Sequence, residues 1–103
     1  MRMSLQTLQL LQVFMEDPAE PRYGLQLMER TQLKSGTIYP ALHRLESAGW
    51  LRSFSEDVDS SAVGRPARRL YALTPSGHAA AEDALTPFRA APAPKPSANA
   101  RFA

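Results

Sequence analysis

The stretch KSGTIYPALHRLESAGWL, residues 34–51, decides the fold of this 103-residue chain. Ile38, Leu42 and Leu45 recur at spacings of four and three, and Ala41 and Ala48 stand beside them. Such spacings place side chains on one face of an α-helix. The stretch therefore predicts a short helix with one apolar face and one polar face.

The ends of this helix are marked by residues with special backbone properties. Ser35 is the expected N-cap, and Gly49 is a natural left-handed residue after the helix end. Pro40 follows Ser35 closely, and proline is tolerated only near a helix start because it lacks an N–H. We therefore expect a helix that begins nearer Thr37, or a slightly irregular first turn.

Two helices precede this one. The second should span about Tyr23 to Thr31, and the short connection TQLKSG after it makes a helix-turn-helix. The first should run from about Ser4 to Glu16. Its apolar stripe is wide, which indicates burial on more than one side, and a second subunit could cover one of these sides. The stripe consists of Leu5, Leu8, Leu10, Leu11, Phe14 and Met15.

A hairpin and a last helix follow the helix-turn-helix. WLRSF (50–54) and RRLYAL (68–73) read as strands, and the polar segment between them is too long for a tight turn and should form a floppy tip. Thr74-Pro75 should start the last helix, and Thr86-Pro87 should stop or kink it. We therefore predict a mainly α fold with a small β-hairpin (α+β), a winged helix-turn-helix, over residues 1–86. Residues 87–103 are rich in Ala and Pro and should be a disordered tail.

Composition excludes several classes of protein. The net charge is +2 and there are no cysteines, which removes disulfide scaffolds and thiolate metal sites and fits a cytoplasmic protein. No apolar run approaches the ~20 residues of a membrane helix. Two histidines without a cysteine or carboxylate pair make a poor metal site. No nucleophile–base pair or phosphate-binding loop is recognisable, so we expect neither enzymatic activity nor a cofactor.

The winged helix-turn-helix order suits double-stranded DNA. A helix enters the major groove with its N-terminal polar residues toward the bases, and a basic hairpin beside it meets phosphates or the minor groove. The expected groove-facing set is Ser35, Thr37, Tyr39, Pro40, His43 and Arg44. The expected wing contacts are Arg65, Arg68 and Arg69.

Each of these assignments has a simpler alternative. Tyr39 borders the apolar stripe and could pack across its helix, while His43 could be solvated and Arg44 could pair with a nearby acid. The wing arginines could be an ordinary solvated edge strand. The acidic stretch at residues 56–59 would be repelled by phosphate, so it should either loop away from DNA or shield the arginines in the free protein.

Residues 23–51 followed by GRPARRLYALTPSG closely resemble the PadR family of bacterial transcriptional regulators. The resemblance covers about residues 5–80. It rests on Tyr23-Gly24, the run GTIYPAL (36–42), Leu45-Glu46 with Gly49, Arg69-Leu70-Tyr71, and LTPSG (73–77). It implies a homodimer that reads an inverted-repeat operator and usually represses transcription, with the third helix in the major groove.

The same resemblance implies a dimer interface built on the C-terminal helix, but the Pro-rich tail leaves little room for a long one. Dimerisation should then use the short last helix, the wide stripe of the first helix, or both. The expected dimer contacts are Leu5, Leu8 and Leu85. A small-molecule effector, common in the family, is also possible.

Two other functions stay open from the sequence. The chain could be a winged-helix protein-interaction module that uses its first helix and acidic loop. It could also be a small-molecule-responsive switch that holds an aromatic compound near Trp50, although this tryptophan should chiefly fill the core between the third helix and the wing.

Overall fold

A computed structural model describes residues 3–89 of the chain. Five helices and three short strands alternate along it. In chain order they are α1 (Leu5–Glu16), β1 (Arg22–Tyr23), α2 (Gly24–Thr31), α3 (Ser35–Ser47), β2 (Leu51–Ser55), α4 (Ser60–Val63), β3 (Arg69–Leu73) and α5 (Pro75–Arg89). The predicted mainly α fold with a winged helix-turn-helix is confirmed.

One hydrophobic core joins α1, α2, α3 and α5 to the root of the sheet. The periodic apolar residues of α3 all point into it, as their spacing predicted, and Trp50 is partly buried against it. The fully buried large side chains are Phe14, Leu10, Leu11, Leu27, Ile38, Leu42, Leu45 and Leu51.

The sheet has three antiparallel strands in the order β1-β3-β2, one more than the predicted two-stranded hairpin. In the wing, Ser53 lies opposite Tyr71 and Ser55 opposite Arg69. The added strand β1 pairs Arg22 with Tyr71. A strand of two residues has no apolar period, so sequence reasoning placed Arg22 in a loop and Tyr23 at the start of the second helix.

The wing tip contains the single-turn helix α4, which the sequence analysis did not predict. The Asp59 carboxylate accepts a hydrogen bond from the Ser61 N–H, 3.0 Å away, and caps its start. Gly64 ends it with φ of 74°, a left-handed conformation that favours glycine.

The start of α3 differs from the expectation in two ways. Its N-cap is Lys34, so Ser35 is the first helical residue and its side chain makes no cap hydrogen bond. The helix also begins before Thr37. The Lys34 carbonyl accepts hydrogen bonds from the N–H groups of both Thr37 and Ile38, each at 2.9 Å. Two N–H groups thus share one acceptor, an arrangement that is common at helix ends.

The end of α3 and the start of α5 follow the sequence signals. Gly49, with φ of 80°, and Trp50 close a Schellman motif through bonds from their N–H groups to the carbonyls of Glu46 and Leu45. The Thr74 hydroxyl oxygen accepts a hydrogen bond from the Gly77 N–H at 3.0 Å, which caps α5 as predicted.

Of the two effects predicted for Thr86-Pro87, a stop or a kink, the stop does not occur, because α5 continues through Pro87 to Arg89. The Thr86 hydroxyl donates to the Glu82 carbonyl at 2.6 Å within this last turn. The domain boundary at residue 86 and the disordered tail stay predictions, since residues 90–103 lie outside the described part. Within residues 3–89, no helix is both long and apolar enough to traverse a lipid bilayer.

Candidate nucleic-acid interface

Helix α3 presents its predicted polar face to solvent. Its core-facing residues Ile38, Ala41, Leu42 and Leu45 are buried. The residues predicted to face the groove are all exposed: Ser35, Thr37, Tyr39, Pro40, His43 and Arg44. A 3.6-residue period separates the two sets because burial of one face forces the other outward.

Arg44 forms no ion pair or side-chain hydrogen bond among the described residues, so the alternative of a pair with a neighbouring acid is not what the structure has. Tyr39 is 45% exposed and does not pack across its own helix into the core. Its hydroxyl lies against Gly24 at the start of α2, where a Cβ would overlap it. Glycine at position 24 thus leaves room for the Tyr39 ring beside the wing.

Each wing arginine is held by a different partner within the chain. Arg65 donates from its two terminal nitrogens to the two carboxylate oxygens of Glu56, at 2.7 and 3.2 Å. The Arg68 guanidinium lies 4.2 Å from the centre of the Tyr23 ring, within cation–π range. Arg69 is exposed and takes a third arrangement, a hydrogen bond to a serine on the neighbouring strand.

The recognition helix and the wing meet at a groove of about 230 Å³. Tyr39 enters it from α3, and Arg68 and Arg69 enter it from the wing. Arginine side chains at such a groove can bind phosphate through charge and hydrogen bonds. The full lining is Tyr23, Gly24, Leu25, Tyr39, Arg68 and Arg69.

Glu56 is the acid that restrains the wing. Its hydrogen bond from Arg65 and a second from the Arg68 backbone N–H, at 3.1 Å, lower the pKa of the Glu56 carboxyl to about 2. For Arg65 the acidic stretch therefore shields the cation, which is one of the two arrangements that we expected. Arg68 donates a hydrogen bond to Glu56 only from its backbone N–H, and among the described residues its guanidinium forms no ion pair with this carboxylate.

Sequence reasoning missed Tyr23, Glu46 and Ser53 as partners of the wing and of α3. Tyr23 supplies the ring under Arg68, and Ser53 accepts a hydrogen bond from Arg69. These contacts depend on the pairing of strands that are distant in the chain. The one available signal was the alternation of β2, which puts Ser53 and Leu51 on the same face.

The predicted dimer contacts fall into two groups. Leu5 is 69% exposed, and Leu8 is partly buried, whereas Leu85 is only 5% exposed and belongs to the core. Phe88, which sequence analysis did not select, is 64% exposed. These side chains line a groove of about 200 Å³ between α1 and α5. Its lining residues are Leu5, Leu8, Gln9, Gln12, Leu85 and Phe88.

The described residues contain no group of three His, Asp or Glu side chains arranged to hold a metal ion. The described elements form a winged helix-turn-helix domain. The sequence matches the family described as "Transcriptional regulator PadR-like family" over residues 10–83. The chain therefore belongs to the PadR-like family, whose members are DNA-binding transcriptional regulators and not enzymes.

Individual relatives agree with this assignment. The chain is 51% identical over 49 residues to "Transcriptional regulator Rv3488" of Mycobacterium tuberculosis, a match that covers 48% of this chain and 41% of that protein. A PadR family transcription regulator from Clostridium difficile has the same fold, with a TM-score of 0.69, 23% identity, and coverage of 84% and 88% of the two chains.

Two further solved structures share the fold. The transcriptional regulator BldR of Sulfolobus solfataricus has a TM-score of 0.70 at 22% identity, covering 87% of this chain and 58% of that one. Bordetella bronchiseptica BpsR, whose DNA binding is regulated by 6-hydroxynicotinic acid, has a TM-score of 0.69 at 18% identity, with coverage of 86% and 57%.

Proposed function

We propose that this chain binds double-stranded DNA, with α3 in the major groove and the wing on the adjacent backbone or minor groove. The observation that carries the proposal is the groove in which Tyr39 of α3 meets Arg68 and Arg69 of the wing. An exposed helix face and a cationic hairpin that converge on one surface can contact one duplex together. Arg44 is the proposed base reader, since it is exposed and has no competing ion pair among the described residues.

The proposed functional unit is a homodimer that binds an inverted-repeat operator in the cytoplasm and represses transcription. Leu5 and Phe88 support a dimer because both are large, apolar and well exposed at the junction of α1 and α5. A two-fold axis through this junction would bring the same patch of each subunit together. An operator with matching two-fold symmetry would then meet one α3 per half-site.

A small-molecule effector is the second candidate function. The groove between α1 and α5 is mainly apolar, and Gln9 and Gln12 at its edge can give a ligand hydrogen bonds. It is a better candidate than the surroundings of Trp50, because that side chain packs against the core. A ligand bound there would act on the same junction as the proposed dimer.

The test is a selection from sheared genomic DNA at physiological salt with excess random competitor. High competitor and salt matter because non-specific affinity falls steeply as salt rises. Enrichment of one inverted repeat is the expected result, and its half-site spacing would report the dimer geometry. Uniform retention would contradict sequence-specific reading, and no retention would contradict DNA binding and favour a protein partner or an effector-dependent state.

A further inference from the structure

A chain of hydrogen bonds joins the recognition helix to the wing. Arg69 of β3 donates from Nη2 to the Ser53 hydroxyl oxygen at 2.8 Å. The Ser53 hydroxyl donates in turn to Oε2 of Glu46, at 2.6 Å. Glu46 lies in the last turns of α3 and Ser53 lies in the middle of β2. Three separate elements are thus connected through one serine.

The Arg69 side chain does not form its hydrogen bond with the residue that strand pairing places opposite it. In the register of the wing, Arg69 is directly opposite Ser55, and Ser53 is opposite Tyr71. Arg69 therefore reaches diagonally, toward the root of the wing and toward α3. Ser55 has the same side chain on the same face and makes no side-chain hydrogen bond to Arg69.

The polarity of the chain is fixed by its two ends. A carboxylate only accepts and a guanidinium only donates, so the Ser53 proton points to Glu46 and its lone pairs face Arg69. Glu46 and Ser53 are both half-buried, and Tyr71 beside them has its pKa raised chiefly by burial. Partial exclusion of water strengthens the bond between Ser53 and Glu46. Arg69 itself is exposed and keeps further N–H donors for a ligand.

We propose that Glu46 and Ser53 are positioning residues, which hold the Arg69 guanidinium at a fixed place relative to α3 so that it meets a DNA phosphate when α3 enters the major groove. The proposal rests on the proposed function, because it concerns the same DNA. It assigns a binding role to an acid on a surface where bare electrostatics would disfavour one.

Charge and position predict opposite effects at Glu46. If Glu46 acts only through its charge, then Glu46→Ala strengthens DNA binding, because it removes an anion near the phosphates. If Glu46 positions Arg69 through Ser53, then Glu46→Ala weakens binding. Glu46→Gln removes the charge but keeps a side-chain oxygen that accepts the Ser53 hydroxyl, so it should bind at least as tightly as the wild type.

The experiment measures the affinity of the full chain for the duplex enriched by the selection, in a salt series, by fluorescence anisotropy. Ser53→Ala should weaken binding about three- to tenfold, the range of one lost hydrogen bond. Ser55→Ala, the matched control on the same strand, should stay within about twofold of the wild type. In an Arg69→Ala background, Ser53→Ala should have no further effect, because it acts through that arginine.

Three results would overturn the positioning role. These are equal affinities for Ser53→Ala and Ser55→Ala, a Ser53→Ala loss that persists without Arg69, and tighter binding by Glu46→Ala. Thermal unfolding of each variant shows whether a loss of DNA affinity comes from a destabilised fold. A loss with that cause would persist in the Arg69→Ala background. Failure of the wild type to bind any duplex would instead overturn the proposed function itself.

Discussion

In our proposal, recognition of the DNA base sequence depends on Arg44. It is exposed on α3, beyond the first turn and one residue past His43. An arginine in the major groove can form a bidentate pair with guanine, which discriminates against the wrong base by about 1–3 kcal/mol. Arg68 has a different position, above the Tyr23 ring at the edge of the wing.

We predict that Arg44→Ala weakens binding to the enriched site by about 1–3 kcal/mol and relaxes base preference, while affinity for random DNA changes little. Arg68→Ala should weaken binding to both kinds of DNA and lower the salt slope by about one unit. Affinity measurements on both duplexes across a salt series check this. Equal losses on specific and random DNA for Arg44→Ala would show that it is not a base reader.

Glu56 makes the stability of the wing depend on pH. Its carboxyl has a pKa of about 2 in the folded chain, below the usual 4.5, because Arg65 and the Arg68 backbone bind the ionised form. Because the pKa is lower in the folded chain, the ionised Glu56 carboxylate contributes its full stabilisation above pH 4.5. This stabilisation disappears as the pH falls to about 2. Acid therefore removes the Arg65 pairing.

We predict that Glu56→Gln lowers the thermal unfolding midpoint at pH 7 and that the difference from wild type shrinks steadily between pH 4.5 and pH 2. Thermal melts across that range measure it. Asp57→Asn is the matched control, since it removes an exposed negative charge from the next position. A difference that stays constant down to pH 2 would mean that Glu56 does not act through its ionised form.

At the residue scale, the sequence predicted which side chains are exposed better than it predicted which residues contact each other. The 3.6-residue period separated Ile38 and Leu42 from Thr37 and Arg44 correctly, because burial of a helix face is a local property of the pattern. The partner of Arg68 could not be predicted. Tyr23 reaches it only because β1 pairs with β3, and nothing local in either segment specifies that pairing.

At the scale of elements, the contact between the start of α5 and the end of α3 fixes the base of the wing. Gly77 lies so close to Trp50 that an added Cβ would overlap the Trp50 carbonyl oxygen. That oxygen also accepts the Thr74 N–H at 3.0 Å and cannot move away without breaking this bond. Gly36, in the first turn of α3, has no atom within 4 Å of the corresponding position.

We predict that Gly77→Ala destabilises the fold by about 1–3 kcal/mol, because the overlap forces α5 away from Trp50. Gly36→Ala should stabilise it by about 0.5–1 kcal/mol, since alanine is the better helix former and meets nothing. Urea unfolding of both variants tests the pair. Both substitutions are glycine to alanine within a helix, so equal shifts would mean that the close approach to Trp50 has no energetic effect.

The helices were predicted within one or two residues at most ends because caps are local signals. Gly49 and Thr74 mark the ends of α3 and α5 as their residue types indicated. The stop that was one of two predicted effects of Pro87 did not occur. The missing N–H of this proline removes one hydrogen bond near the end of α5, where few bonds follow, and the helix continues to Arg89. Strand β1 and helix α4 are too short to carry a period.

At the scale of the whole molecule, the junction of α1 and α5 is the proposed subunit contact. Leu5 is 69% exposed and Phe88 is 64% exposed, whereas Leu85 between them closes the core. The wide apolar stripe of α1 thus has two uses: Leu10, Leu11 and Phe14 are buried within the subunit, and the N-terminal leucines are left at the surface.

We predict that Leu5→Glu raises the dimer dissociation constant by about 100-fold or more, because a two-fold interface would bury a carboxylate from each subunit. Sedimentation equilibrium measures this dissociation constant. The thermal unfolding midpoint of the monomer should stay at the wild-type value. Val63→Glu, at a 45% exposed apolar residue of the wing tip, is the matched control and should leave assembly unchanged. Equal dissociation for both variants would place the interface elsewhere.

The anchoring of Thr74 has a consequence for how the wing can vary. Its N–H bonds the Trp50 carbonyl, and its hydroxyl bonds the Gly49 carbonyl at 2.6 Å, so the chain leaves and rejoins the helical body at one point. The segment between these two points, which contains β2, α4 and β3, is therefore a loop that is closed at its base. The entropy of closing such a loop grows only slowly with its length. The tip around α4 can therefore lengthen or shorten as a module, changing the reach of the wing while the helical body keeps its packing.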